Sequence, residues 1–141
     1  MIITKTPFRM SFFGGGTDMP AFFNEYGGAV ISTTFDKFCY VNVRHMPPFH
    51  PYISELVHNR FERVNNINDI EHPLIRECLR LHDIQEIRLT SEGDLPARTG
   101  LGTSSTFAVG MLNAFCALNG KMVCKRQLAQ EAIHVERDIL K

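Results

Sequence analysis

Apolar and polar residues follow two kinds of spacing along this chain, and these spacings predict its secondary structure. Alternation of apolar and polar residues is typical of half-buried strands, whereas apolar residues three or four positions apart are typical of helices. The predicted strands are residues 2–6, 9–13, 29–35, 38–44, 61–64 and 84–91. The predicted helices are residues 18–26, 73–81, 104–118 and 125–140. Because strands and helices are interspersed, the pattern favours an α+β fold over a doubly wound parallel sheet.

Five of these elements carry further expectations about packing. Residues 29–35 and 38–44 are separated only by Asp36 and Lys37, which predicts a β-hairpin. The helix over residues 18–26 is expected to present an apolar face of Phe22, Phe23 and Tyr26. The last two helices are expected to bury the stripes Phe107, Met111, Phe115, Leu118 and Leu128, Ala132, Val135, Ile139.

The composition is that of an ordinary globular domain. The chain has 141 residues, of which 44% are hydrophobic and 21% charged, enough for one domain with a sizeable core. Lysine and arginine together number 15, as do aspartate and glutamate, so the formal net charge is zero. This balance gives no support for binding to nucleic acid or to an anionic membrane surface.

Cysteine usage and the N-terminal sequence predict a cytoplasmic protein. The four cysteines lack a Cys-x-x-Cys pair, so we expect reduced and mostly buried thiols. The N-terminus lacks the apolar region of a secretory signal, and no apolar stretch reaches the ~18–20 residues needed to span a bilayer. His45, His50 and His58 are spaced by five and eight residues, which matches no standard zinc pattern.

Residues 96–108, Pro-Ala-Arg-Thr-Gly-Leu-Gly-Thr-Ser-Ser-Thr-Phe-Ala, form a glycine-hydroxyl loop between a predicted strand and a predicted helix. Gly100 and Gly102 permit tight backbone geometry, and the following N–H groups at the helix start attract anions. The loop therefore predicts a phosphate site. It is neither a Walker A motif nor a dinucleotide-binding fingerprint. A purely structural alternative remains, in which Thr103 or Ser104 caps the helix.

A second glycine-rich segment lies near the N-terminus. Gly14, Gly15 and Gly16 stand between a predicted strand and a predicted helix, with Arg9 upstream and Thr17-Asp18 downstream. Three successive glycines cost conformational entropy, which favours a functional loop. The alternative is a tight turn in which Thr17 or Asp18 caps the helix.

Together these two segments resemble the GHMP kinases, a family that includes galactokinase, homoserine kinase, mevalonate kinase and phosphomevalonate kinase. The family's phosphate loop reads Pro-x-x-x-Gly-Leu-Gly-Ser-Ser-Ala, and residues 96–105 here read Pro-Ala-Arg-Thr-Gly-Leu-Gly-Thr-Ser-Ser. The Gly-Gly-Gly-Thr-Asp segment is most similar to that of D-glycero-D-manno-heptose 7-phosphate kinases. The resemblance implies the family's α+β N-terminal domain, with ribosomal-protein-like β-α-β units and a mixed sheet packed with helices, over residues 1–141.

The resemblance also implies roles for individual residues. ATP phosphates would be held by Gly100, Leu101, Gly102, Thr103, Ser104 and Ser105. Magnesium would be held by Ser104 and by Glu136, which stands in a Glu-Arg context like the family's metal-binding glutamate, although a solvated surface carboxylate is the alternative for Glu136. Arg9 would stabilise charge on the transferring phosphoryl group. The sugar would be bound by Gly14, Gly15, Gly16, Thr17 and Asp18.

The implied activity is transfer of the ATP γ-phosphoryl group to a hydroxyl of a sugar or sugar phosphate, such as a heptose 7-phosphate. The family's catalytic aspartate follows the helix of Glu136, so its position would lie beyond Lys141. We therefore expect these 141 residues to be a truncated N-terminal ATP-binding domain, without the C-terminal domain and inactive alone. The alternative is a non-catalytic nucleotide- or sugar-binding module derived from such a kinase.

Overall fold

A mixed β-sheet covered by helices forms the fold, which confirms the predicted α+β class. The computed structural model describes residues 1–96 and 99–140; Ala97 and Arg98 of the glycine-hydroxyl loop and the final Lys141 lie outside the described residues. The strands are β1 (Ile2–Phe13), β2 (Ile31–His45), β3 (Ser54–Val57), β4 (Phe61–Val64) and β5 (Ile87–Gly93). The helices are α1 (Pro20–Tyr26), α2 (Pro73–Leu81), α3 (Thr103–Leu118) and α4 (Lys125–His134). A 3₁₀ turn occupies Ile67–Asp69, and a π-helical turn over Val135–Ile139 continues α4.

The five strands are ordered β1-β2-β5-β3-β4. The β1–β2, β2–β5 and β3–β4 pairs are antiparallel, whereas β3 and β5 run parallel. The parallel pair is possible because α2 and the preceding turn lie between β4 and β5 and return the chain to the sheet. The long β1 and β2 strands thus form one side of the sheet; the Gly14–Gly16 segment follows β1, and the glycine-hydroxyl loop connects β5 to α3.

The core lies between the sheet and α3, which packs against β1 and β2. Alternate residues of β2 and β5, including Val41, Val43 and Leu89, are fully buried, as expected for strands with one covered face. At Gly110 the α3 backbone approaches the sheet closely, and its carbonyl accepts a 2.8 Å hydrogen bond from Thr4 Oγ1. A methyl group at Gly110 would lie 2.9 Å from Thr6 Oγ1, so this packing depends on a residue without a side chain.

The predicted hairpin at Asp36-Lys37 is wrong, because β2 continues through these residues as a single strand. Pro7 pairs with Phe38 and Arg9 pairs with Thr34, so β2 inserts extra residues opposite a short stretch of β1. This irregularity is a bulge and not a turn. Asp-Lys lacks the glycine or asparagine that two-residue hairpin turns favour, whereas a bulge accepts ordinary residues.

The helices follow the predicted periodicities except at the edges of the fold. Helix α2 has the predicted bounds, and Met111, Phe115, Leu128 and Ala132 are buried as expected. Ile139, expected in the same buried stripe, is exposed. The expected apolar face of α1 is not buried, since none of its residues is buried among the described part of the chain. Within residues 1–96 and 99–140, no helix combines the length and apolar character needed to cross a bilayer.

Candidate functional site

Helix α3 begins within the glycine-hydroxyl loop, and in the described part of the chain no side chain caps its first turn. Gly100 and Gly102 adopt positive φ angles of 75° and 71°, a conformation that glycine accepts without strain. Gly102 occupies the N-cap position and has no side chain that could cap the helix. Its carbonyl accepts a 2.9 Å hydrogen bond from the Thr106 N–H. The capping alternative for Thr103 or Ser104 is therefore wrong. The N–H groups of the first turn remain available to an anion.

The hydroxyl groups at the start of α3 are hydrogen-bonded to a carboxylate from the C-terminal part of the sequence. Ser104 Oγ donates a 2.8 Å hydrogen bond to Glu136 Oε1, and Ser105 Oγ donates a 3.0 Å hydrogen bond to Oε2. Glu136 lies in the π-helical turn, in which the Leu140 N–H donates to the Val135 carbonyl five residues earlier. Glu136 is thus bound to the loop, which argues against the solvated-surface alternative.

Arg9 lies directly over the same loop. Its backbone N–H donates to the Leu101 carbonyl at 3.2 Å, which ties β1 to the loop. Its guanidinium lies beside Gly102, where an added methyl group would come within 3.5 Å of Nη2. The guanidinium also contacts Ser11 Oγ. The structure therefore places a positive charge next to the backbone that the sequence predicts to hold phosphate.

The N-terminal glycine segment forms a loop that is fastened to the start of β2. Gly14 has a φ angle of 82°, and a methyl group added there would lie 1.8 Å from the Ala29 carbonyl oxygen. Thr17 Oγ1 lies 2.7 Å from the Gly14 carbonyl oxygen and 3.0 Å from that of Ala29, to either of which its single proton can be donated, and it accepts a 3.2 Å hydrogen bond from the Ala29 N–H, so it holds the loop closed. Asp18 Oδ1 accepts a 3.0 Å hydrogen bond from the Gly16 N–H.

The capping alternative for this segment is also wrong. The N-cap of α1 is Met19, which makes no side-chain hydrogen bond, so neither Thr17 nor Asp18 caps the helix. Gly15 and Gly16 have no atom within 4 Å of the position that a methyl group would occupy, so they border open space. The segment therefore has one glycine that the fold requires sterically, followed by two that leave room beside the carboxylate of Asp18.

Two open clefts meet at the start of α3. The first, of about 680 Å³, is lined by Arg9, Gly100, Gly102, Thr103 and Ser104 together with apolar and aromatic side chains. The second, of about 610 Å³, is lined by residues that include Thr17, Asp18, Ser105, Glu136 and Arg137. Ser104 faces the first cleft and Ser105 the second, and Glu136 is bonded to both. Groups bound in the two clefts would therefore approach each other at these three side chains.

The apolar end of the first cleft was not predicted by any sequence pattern. It contains His58, His72 and Phe107, with the His72 ring edge-on to the other two rings at centroid distances of 5.0 and 5.9 Å. Burial, and next the neighbouring His58, lowers the pKa of His72 and favours its neutral form. Its Nδ1 is buried without a hydrogen-bond partner among the described residues. A flat, polar-edged group would fit beside such a ring.

Comparison with known proteins gives concordant matches. The family model described as GHMP kinases N terminal domain matches residues 68–141, slightly more than half of the chain. A curated D-glycero-alpha-D-manno-heptose 7-phosphate kinase from Campylobacter jejuni is 25% identical over 150 residues, covering 99% of this chain and 44% of that protein. The chain therefore spans about half the length of the curated relative that it matches.

Solved structures share the fold. The crystal structure of a D-glycero-D-manno-heptose 1-phosphate kinase from Bacteriodes thetaiotaomicron has a TM-score of 0.85 and 24% identity, over 99% of this chain and 49% of that one. Methanococcus jannaschii mevalonate kinase has a TM-score of 0.73 and 20% identity, over 98% and 46% of the two chains. At these identities the structural matches establish the architecture of the domain.

Proposed function

Since this chain belongs to the GHMP kinase family, we propose that it is the N-terminal part of an ATP-dependent kinase that phosphorylates a sugar or sugar phosphate. The observation that carries the proposal is the pair of hydrogen bonds from Ser104 and Ser105 to Glu136, where two clefts meet. One cleft offers backbone N–H groups and a guanidinium, which suit the phosphates of a nucleotide. The other offers the Asp18 carboxylate, which suits sugar hydroxyls.

The nucleotide would lie in the first cleft. The N–H groups around Gly100–Ser105 would bind its phosphates, and the cavity beside His72 and Phe107 would receive its base. Arg9 would stabilise negative charge on the transferring phosphoryl group, because its guanidinium lies against the loop at Gly102. Most of the catalytic contribution of such residues is positioning and charge stabilisation, which a rigid strand and helix start provide.

The oxygen atoms at the junction fit magnesium. Octahedral Mg²⁺ with bonds of about 2.0–2.1 Å holds neighbouring oxygens about 3 Å apart, and Ser104 Oγ lies 2.8 Å from Glu136 Oε1. We propose that these two residues hold the ion of a magnesium nucleotide. When bound, the ion would neutralise charge on the phosphates. Ser105, the other donor to Glu136, would keep the carboxylate oriented.

The acceptor would lie in the second cleft, beside the open backbone at Gly15 and Gly16. We propose a heptose phosphate as the acceptor, because the curated relative is named as a heptose 7-phosphate kinase and a structural relative as a heptose 1-phosphate kinase. Asp18 would accept hydrogen bonds from its hydroxyls, and Arg137, in the same cleft, offers a cation for its phosphate. We further propose a cytoplasmic location, in keeping with the four free cysteines.

Calorimetric titration with ATP tests the nucleotide site. We expect saturable binding in the presence of Mg²⁺, weakened about tenfold in Ser104→Ala by loss of one interaction with the nucleotide complex. Glu136→Gln should weaken binding at least as much in Mg²⁺ but much less in a chelator, because only the metal contact is removed. Glu25→Gln, at an exposed position of α1, is the matched control. Absence of binding, or equal effects of Glu136→Gln in Mg²⁺ and chelator, would contradict the assignment.

A kinase assay on the full-length protein tests the reaction. Heptose 7-phosphate, heptose 1-phosphate, galactose, fucose and mannose are compared as acceptors, with ADP formation as the measurement. We expect the heptose phosphates to be preferred and Arg9→Ala to lower kcat more than it raises KM. Nucleotide binding without turnover of any sugar would favour the non-catalytic binding module instead.

A further inference from the structure

Three side chains from three helices converge on a cleft away from the candidate kinase site. His82 is the C-cap residue that follows α2, Cys116 lies near the end of α3, and Glu131 lies in α4. One ligand atom from each residue lies within 4.8 Å of those of the other two. They line a surface cleft of about 520 Å³ that shares no lining residue with the two clefts described above.

The imidazole of His82 is the second, independent indication of a ligand here. Its side chain is only 8% exposed, and Nε2 is buried without a hydrogen-bond partner among the described residues. Glu131 Oε1 lies 2.9 Å from Nε2, but the pair does not have the geometry of a hydrogen bond. An unsatisfied buried nitrogen is costly, and coordination of a cation would satisfy it. The C-terminal end of α2 also favours positive charge at this position.

We propose that His82, Cys116 and Glu131 form a binding site for a zinc ion, with the cleft supplying the open fourth position. Nitrogen, sulfur and oxygen ligands together suit tetrahedral Zn²⁺, whereas Mg²⁺ takes oxygen ligands only. Zinc bonds of about 2.0–2.3 Å place tetrahedral ligands about 3.5 Å apart, so the side chains need to move by roughly 1 Å. Cys116 is a free thiol and is available as a ligand in its deprotonated form.

The bound ion would join the ends of α2 and α3 to α4. Apolar packing already holds these helices together, with Phe115 edge-on against the His82 ring at 5.9 Å, and Asn119 Nδ2 donates a 3.1 Å hydrogen bond to the His82 carbonyl. Coordination would add a direct cross-link between them and would stabilise the folded chain in proportion to metal saturation. This proposal does not depend on nucleotide binding, because it involves none of the residues assigned to phosphate, magnesium or sugar.

Metal titration of the full chain tests the site. Chelator-treated protein is titrated with Zn²⁺ by calorimetry and with Co²⁺ by absorption spectroscopy. We expect one ion per chain, a thiolate-to-cobalt charge-transfer band, and a rise in Tm of roughly 5–15 °C at a hundredfold excess of zinc over Kd. Cys116→Ser should abolish the charge-transfer band. It should also weaken zinc binding by more than the ~10–100-fold that is typical when a residue hydrogen-bonded to a metal ligand is lost.

Two further variants make the result decisive. Cys124→Ser, at the one exposed cysteine, should bind zinc like the unmodified chain. Glu131→Gln changes a side chain that is 25% exposed, so it provides a ligand test even where Cys116→Ser fails to fold, and should weaken binding more than tenfold. No saturable binding by the unmodified chain, or binding unchanged in Glu131→Gln, would overturn the proposal.

Discussion

Replacing Gly14 by alanine should destabilise the chain far more than the same replacement at Gly15 or Gly16. The three adjacent glycines differ in two measurable ways. Gly14 has a φ angle of 82° and a methyl group there would lie 1.8 Å from the backbone oxygen of Ala29. Gly16 has a φ angle of 95° but open space around it, and Gly15 has open space without a positive φ. The series therefore separates steric clash from backbone strain.

Each contribution has an expected size. A positive φ costs a residue with a β-carbon about 1–2 kcal/mol, so Gly16→Ala should lose that amount of unfolding free energy. Gly14→Ala carries the same strain plus a clash with backbone, for which overpacking values of about 1–3 kcal/mol apply. The expected total is roughly 3 kcal/mol. Gly15→Ala should be neutral or up to about 1 kcal/mol more stable, because alanine restricts the unfolded chain.

Urea unfolding of the three variants and the parent measures these differences. The m-value must stay constant for the free energies to be comparable. The expected order of stability is Gly15→Ala, then Gly16→Ala, then Gly14→Ala. Equal stability of Gly14→Ala and Gly15→Ala would refute the reasoning, because the contact with Ala29 then could not constrain the loop. Equal stability of Gly14→Ala and Gly16→Ala would show that strain alone sets the cost.

Two further outcomes follow from buried polar groups. Burial raises the pKa of Glu55, but hydrogen bonds from Tyr52 and Arg63 outweigh it and hold the pKa below 4.5. Stability should therefore fall as pH drops below about 4.5, and less steeply in Glu55→Gln, as urea unfolding at several pH values would show. Cys39, Cys78 and Cys116 are buried, and burial raises the pKa of Cys78 to about 12, so only the exposed Cys124 should react rapidly with a thiol reagent in native protein; labelling that persists in Cys124→Ser would contradict this.

Local patterns in the sequence were sufficient where one segment decides its own structure. Helix α2 has its predicted bounds because Pro73 suits a first helical turn and its apolar residues recur at helical spacing. Helix α3 begins at Thr103, one residue before the predicted start, because the left-handed Gly102 ends the loop. Elements whose order and position depend on tertiary contacts were harder to predict from the sequence.

The long β2 strand illustrates this limit. Its two predicted halves are locally correct as strands, but their continuity depends on pairing with β1 across a bulge opposite Phe8, next to Pro7. Pro7 lacks an N–H group and is tolerated because β1 lies at the edge of the sheet. Neither the pairing partner nor the edge position is encoded in residues 29–44 themselves, so a hairpin was the simpler prediction from local sequence.

The candidate sites, too, could be predicted from the sequence only in part. The family resemblance predicted Arg9, Ser104 and Glu136 as site residues, but the contact of Arg9 with the loop and that of Ser104 with Glu136 arise from packing of β1, α3 and the π-helical turn. The cluster of His82, Cys116 and Glu131 gave no sequence signal, because its members come from three helices and share no motif spacing. The spacing of His45, His50 and His58 along the sequence could not predict this cluster.

The π-helical turn connects α4 to the candidate kinase site. A π turn places its hydrogen bond across five residues, which displaces the side chains that follow relative to a regular helix. Here the π turn itself carries Glu136, and that carboxylate accepts hydrogen bonds from both Ser104 and Ser105. One serine borders the cleft with the phosphate loop and the other borders the cleft with Asp18. Under the proposed function, the position of Glu136 would bring groups in the two clefts together, as phosphoryl transfer requires.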